Sequence, residues 1–571
     1  MIFRSLTLFA LTAVLATPPL PVHANEPAGA YLAARQAHYL NDYENAALYF
    51  TRALTGDPSN PNILEHAVAA QLSLGQVERA LPVARRMEEG GFSSQVAQMV
   101  LIATEINRGD YDAVLARIAD ERGVGPLADG LIAAWATLGK GDMASALALF
   151  DEVADERGLR SFAIYHKALA LASVGDYEAA DAIYSGEADG PMQTTRRGTI
   201  AWAEVLSQLE RNEDAIKVID EAFGSDQDPQ IASLRERLEA GERLNFSRID
   251  TAREGVAEVF YSLGRALLAD TSEDYVLFYS RLAEYLSETH IDSRIMSAEL
   301  LDELGQFDLA TEAYKRVPRD HPAFHAAELG RAEALRRAGK TDGAIEVLEQ
   351  LRRSHPELPI AAAAAGDLYR QMEQFDKASA AYDEAIALYD ARENPQWFVH
   401  YARAITLERQ GLWDRAEADF RRSLELNPEQ PQVLNYLGYS LVEKNTKLDE
   451  ALDMIERAVA AQPDSGFIVD SLGWVLYRLG RYDEAIGHME HAAELMPVDP
   501  VVNDHLGDVL WAVGRFTEAR FQWRRALSFV DKENPAPDVK PDRIRRKLEV
   551  GLDKVLAEEG APPLRVADDE G

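Results

Sequence analysis

Apolar positions along this chain fall into runs of helical length, and the runs come in pairs joined by short polar turns. Within each run the apolar side chains recur at three- and four-residue intervals, which places them on one face of a helix. Between paired runs a glycine is followed two residues later by an aromatic. Examples are Gly109-Asp110-Tyr111, Gly175-Asp176-Tyr177, Gly305-Gln306-Phe307, Gly411-Leu412-Trp413, Gly480-Arg481-Tyr482 and Gly514-Arg515-Phe516. Glycine there lets the first helix end in the left-handed region, and the aromatic is placed to pack across the hairpin. The pattern predicts an all-α fold of helical hairpins.

The hairpins repeat with one period. Gly438, Gly473 and Gly507 sit in Leu-Gly pairs 35 and 34 residues apart, and Ala451, Ala485 and Ala519 follow at intervals of 34. Pro463 and Pro497 close second helices in phase. Traced backward, the small second-helix position is Ala416, Ala378, Ala344, Ala310 and Val276. In the N-terminal half it is Ala215, Ala180, Ala146, Val114, Ala80 and Ala46. Glycine inside a helix costs about 1 kcal/mol against alanine, so the three Leu-Gly pairs predict close helix crossings. The rhythm breaks once, over the 61 residues from Ala215 to Val276. Gly224 to Pro229 reads as a loop, followed by one charged helix ending before Gly241.

These residues resemble the tetratricopeptide repeat family over nearly all of residues 27–533. The resemblance implies an α-solenoid of about fourteen hairpin units in a right-handed superhelix, with first helices lining a concave groove that binds proteins or peptides. The expected organisation is a signal peptide at 1–24, an N-terminal solenoid at 25–223 and an irregular joint at 224–254. A C-terminal solenoid at 255–533 and a 534–571 segment complete it. That last segment is expected to hold a linker, a polar capping helix over 543–558, which covers the last apolar face of a stack, and a disordered tail.

The N-terminus adds a compartment. Arg4, an apolar run from Leu6 to Ala16, prolines at 18, 19 and 21 and Val22-His23-Ala24 follow the secretory pattern, with cleavage expected after Ala24. The apolar run is shorter than the roughly 20 residues a membrane span requires. With no cysteine in the chain, a lipid-modified cysteine, disulfides and thiolate metal sites are excluded. An exported, periplasmic protein without membrane insertion is expected. The 571 residues carry 95 acidic and 59 basic side chains, a formal charge of −36. That balance argues against nucleic acid, whose affinity comes mainly from Lys and Arg displacing counterions, and favours partners with basic segments.

Catalytic chemistry has little to stand on. Ala334 to Thr341 matches a relaxed phosphate-loop pattern, but it closes the first helix of a repeat and does not follow a strand. His488 and His491 share a helix face without further converging ligands. No catalytic, cofactor or metal residue is expected. The candidate site is the groove near the C-terminus, with the aromatics Phe398, Tyr401, Tyr439, Trp474, Tyr477 and Trp511 beside the polar Asn435, Asp470, Asp504 and Asp508. Aromatic anchors next to fixed hydrogen-bonding groups are what peptide grooves use. Elsewhere Glu299, Asp302, Glu303, Glu333 and Asp367 share a face with Arg336, Arg337 and Arg370, a self-compensating charged surface.

The 398–525 region is also similar to secreted bacterial repeat proteins, among them an envelope adaptor that presents substrates to a carboxyl-terminal processing protease. The resemblance implies a non-catalytic scaffold whose partners include such a protease or its substrates. An assembly factor for an envelope export or pilus complex is the alternative.

Overall fold

A computed structural model describes residues 26–192, 194–224, 229–531 and 539–564. The segment expected to be a signal peptide (1–24), residues 225–228 of the expected loop and residues 534–537 of the expected linker lie outside the described residues. Thirty-one helices and no strand occur among the described residues. The chain is an α-solenoid of helical hairpins that divides into two compact units, residues 1–347 and 348–571.

The periodic small residue explains the hairpin. All fourteen such positions, from Ala46 through Val114 and Val276 to Ala519, are fully buried, because each lies where the second helix crosses the first. The turn glycines 109, 175, 305, 411, 480 and 514 all have φ between +73° and +84°. Where glycine is missing, Asn41, Glu210, Glu373 and Asn445 take the same left-handed conformation. The Leu-Gly pairs mark close crossings: a side-chain carbon added at Gly438 would lie 2.7 Å from Ile455 Cγ1, and the same atom at Gly473 or Gly507 would collide with Met489 or Trp523.

In the first unit, the hairpins run from Glu26–Tyr39 to Asn212–Phe223, and the charged helix Pro229–Glu239 packs on the last of these. The unit extends past 224–254, the segment expected to be a joint between solenoids. Residues 242–251 are pinned to the helix Arg196–Gln208 by bonds from Leu244 N to Ser207 Oγ (2.9 Å) and from Ser247 N to Glu204 Oε2 (2.9 Å). The chain then turns back. Ala252–Leu267 packs on the first helices Gln95–Asn107, Pro126–Gly139 and Arg160–Ser173, and Glu273–Leu286 packs on Pro61–Ser73 and Gln95–Asn107. The first-helix face expected to bind a partner is therefore covered, in this unit, by the chain itself. Gly255 permits the approach, since any side chain there would enter the ring of Trp135.

A buried charge cluster fixes the returning helix. Glu258 accepts from Tyr165 Oη (2.8 Å), Arg197 Nη2 (2.7 Å) and His290 Nε2 (3.0 Å), and Arg197 also pairs with Asp292. Burial alone would raise the Glu258 pKa, but Arg197 and His290 outweigh it and hold the carboxyl well below its usual range. The acidic face seen in the sequence is compensated locally, with Arg337 bound to Asp302 (2.6 Å) and Arg336 to Glu333 (2.5 Å).

The second unit stacks five complete hairpins from Pro359–Gln371 to Phe516–Phe529. The expected capping helix is two helices, Pro541–Val550 and Leu552–Glu558, broken at Gly551. Gly551 has φ +87°, and a side chain there would lie 2.6 Å from the Trp511 ring, so the break serves both the turn and the packing.

Candidate functional site

The ten groove residues all belong to the second unit, on its first helices, but the structure divides them. Phe398 and Tyr401, on Trp397–Arg409, line a recess of about 210 Å³ with Asp367, Arg370 and Tyr382. Tyr382 Oη donates to Asp367 Oδ1 (2.7 Å), and Arg370 Nε donates to Tyr382 Oη (3.3 Å). Phe398 is partly exposed, whereas the Tyr401 ring sits among Trp397, Phe420 and Tyr436.

Asn435, Tyr439 and Asp470 line one cavity of about 780 Å³ between Pro431–Glu443, Gly466–Arg478 and the start of Pro500–Ala512. Phe467, 63 % exposed, stands at this cavity. Asn435 Oδ1 is buried and accepts no hydrogen bond from the protein. An unpaired buried acceptor costs about 1–3 kcal/mol, so an N–H donor entering the cavity would be favoured. Acidic groups surround it. Glu408 lies beside Tyr436, whose hydroxyl is pushed up in pKa first by burial and then by that carboxylate. Asp470 accepts from His505 Nδ1 (3.0 Å). Burial pulls the His505 pKa down, but Asp470 and then the nearby Asp504 and Asp508 outweigh this and raise it.

Trp474 and Tyr477 are buried in the stack. Trp474 lies between Tyr477 (ring centroids 4.9 Å apart) and His505 (3.9 Å), and its Nε1 donates to Glu443 Oε1 (2.7 Å). Asp504 and Asp508 are occupied rather than open. Lys547, 0 % exposed, reaches from Pro541–Val550 to donate to Asp504 Oδ1 (2.8 Å) and Asp508 Oδ2 (2.8 Å). Trp523 Nε1 donates to Asp508 Oδ1 (2.9 Å), and Arg543 lies 3.4 Å from Oδ2. Trp511 rests on Trp523 and donates to Asp553 Oδ2 (2.8 Å). The four polar residues read from the sequence thus meet different fates: Asn435 Oδ1 has no donor within the protein, Asp470 holds a histidine, and Asp504 and Asp508 share a lysine.

Sequence reasoning missed Lys547, Arg543, His505 and Glu443. Ile544 and Lys547 share the buried face of Pro541–Val550, so the three-residue spacing marked Lys547 as inward-facing. Its carboxylate partners, 39 and 43 residues away, carry no such local signal. Among the described residues no group of three or more His, Cys, Asp or Glu is placed to hold a metal, and no helix is long and apolar enough to cross a membrane.

Comparison with known proteins agrees with the hairpin architecture. Tetratricopeptide repeat profiles match residues 295–359, 361–391, 401–466 and 470–497. A TPR repeat-containing protein of Pseudomonas aeruginosa is 32% identical over 109 residues, 19% of this chain and 18% of that protein. A lipoprotein NlpI homolog of Haemophilus influenzae is 36% identical over 87 residues, 15% of this chain and 26% of that protein. The chain thus spans only about a fifth to a quarter of these relatives' lengths. Among solved structures, one chain of the APC/C Cut9–Hcn1 hetero-tetramer (16% identity, TM-score 0.38) matches 92% of this chain over 96% of its own length. Yeast Tom70 (14% identity, TM-score 0.34) covers 93% and is covered over 98%. Within residues 295–497, then, this chain carries tetratricopeptide repeats, and proteins built of such repeats bind protein or peptide partners and are generally non-catalytic scaffolds.

Proposed function

We propose that this protein is a non-catalytic interaction scaffold of the bacterial cell envelope, and that it takes an extended segment of a partner protein into the cavity beside Asn435. One observation carries the reading: Asn435 Oδ1 is a buried acceptor without a donor, at a cavity flanked by Tyr439 and Phe467. A peptide backbone N–H would satisfy it while apolar side chains of the same segment cover the two rings. The negative character of the chain favours a segment with basic residues. The secretory pattern of residues 1–24 and a relative named as a lipoprotein support the envelope location. Presentation of substrates to an envelope protease is the version favoured by the similarity of the 398–525 region. Assembly of an export or pilus complex is the alternative.

The test is a photoreactive residue at position 439, crosslinked in living cells, with the captured protein identified by mass. A soluble envelope protein is the expected product, and its capture falls about tenfold in Asn435→Ala if one hydrogen bond of about 1.4 kcal/mol is lost. Capture of cytosolic proteins alone, or a yield indifferent to Asn435, would overturn the reading. Co-purification with outer-membrane components and no soluble substrate would favour the alternative.

A further inference from the structure

The C-terminal end of the second unit carries a different surface, away from Asn435. Two aromatic groups stand there. Trp474, Tyr477 and Tyr482 form one, with the two tyrosine rings 5.5 Å apart, and Trp511 and Phe516 form the other, with centroids 4.6 Å apart. Each borders a cavity, of about 500 Å³ and 600 Å³ respectively, and Tyr482 lines both. Leaving the helix Leu552–Glu558, the chain turns at Gly560 and lays Ala561-Pro562-Pro563-Leu564 along this trough without regular secondary structure. All four residues line the first cavity, with Pro562 and Pro563 exposed at its rim, and Leu564, half-buried against the aromatic core, lines both.

The chemistry of that segment suits the surface. Pro562 and Pro563 have no N–H to satisfy, and their restricted φ means that little conformational entropy is lost on docking. Flat rings accepting a preformed, proline-containing strand are a recurrent recognition mode. The tail does not fill what it crosses, since both cavities remain beside it. Phe516 is half exposed at the second.

We infer that this aromatic trough is a second binding site, for an extended partner segment of the form Pro-Pro followed by a large apolar residue, and that residues 561–564 occupy it in cis. The site is independent of the cavity at Asn435. A partner segment gains entry by displacing the tail, so the resident copy sets a threshold on affinity.

The full chain tests this directly. A fluorescent peptide with the sequence of residues 559–564 is titrated, by anisotropy, against the wild type and against Leu564→Asp, which places a charge on the tail where it meets the rings. The wild type is expected to bind weakly and Leu564→Asp at least about tenfold more tightly, with the gain abolished by adding Tyr482→Ala. Equal binding by wild type and Leu564→Asp overturns the inference. So does undiminished binding of a peptide with alanine at both proline positions, or a gain that survives Tyr482→Ala. Asn435→Ala is expected to leave this titration unchanged, which separates it from the reading above.

Discussion

Glu258→Ala is expected to destabilise the first unit by about 3–5 kcal/mol, the usual cost of removing one partner from a buried ion pair. The substitution leaves Arg197, itself buried, with Asp292 as its remaining carboxylate, and it removes the acceptor of Tyr165 and His290. Ala252–Leu267, the helix that carries Glu258, is held to the first-helix face of the unit partly through these contacts. The loss should therefore show as faster hydrogen exchange across 252–286 and a lower urea midpoint for that unit, while amides of 431–529 keep their protection. Tyr165→Phe removes a single donor and should cost only about 1 kcal/mol. A Glu258→Ala protein within about 1 kcal/mol of wild type would mean that apolar packing around Trp135 and Gly255 holds the helix unaided. Because stability from a lowered carboxyl pKa is present above the unfolded value and lost as pH falls through the folded one, the gap between wild type and variant should narrow in acid.

What could be read from the chain alone follows from the range of the interactions. The buried position from Ala46 to Ala519 was visible because every hairpin solves the same local problem, a close crossing of two helices, with the same small residue. The left-handed turn glycines were visible for the same reason. The return of Ala252–Leu267 onto earlier helices was not, since Glu258 and Arg197 are 61 residues apart and obey no period. Glu258 in its helix looks like any solvated acid until its partners are known. The groove shows the same division. Periodicity put Asn435, Asp470 and Asp504 on one face, but whether each stays available depends on His505 and Lys547, which come from other helices. Aromatic residues are ambiguous in kind: Tyr439 is part-exposed at its cavity, whereas the Trp474 ring with the same spacing is buried, stacked between Tyr477 and His505.

Lys547→Met should destabilise the C-terminal end of the second unit by about 3–5 kcal/mol at neutral pH, and acid should partly restore it. Methionine is unbranched and only one atom shorter than lysine, so most of the buried space stays filled and the loss is mainly electrostatic. Lys547 donates to both Asp504 and Asp508 from a fully buried position, and without it two carboxylates share one site. Burial already raises the pKa of Asp504 in the intact protein, with Lys547 opposing and Asp508 adding to the rise; deleting the ammonium removes the opposing influence. A carboxyl whose folded pKa lies above its unfolded value of about 3.9 contributes stability that is present at low pH and lost as pH climbs through the folded pKa. The variant is therefore expected to be more stable near pH 4.5 than near pH 7, relative to wild type at each pH. Thermal unfolding followed by Trp fluorescence, with Trp511 and Trp523 in the affected layer, measures this. Asp504→Asn in the Lys547→Met background should recover part of the loss at pH 7, because it removes the charge whose buried ammonium partner is gone, while Asp508 keeps Trp523 and Arg543. If the double variant is no better than Lys547→Met, and the deficit is the same at both pH values, charge pairing is not what seats the last two helices on the stack.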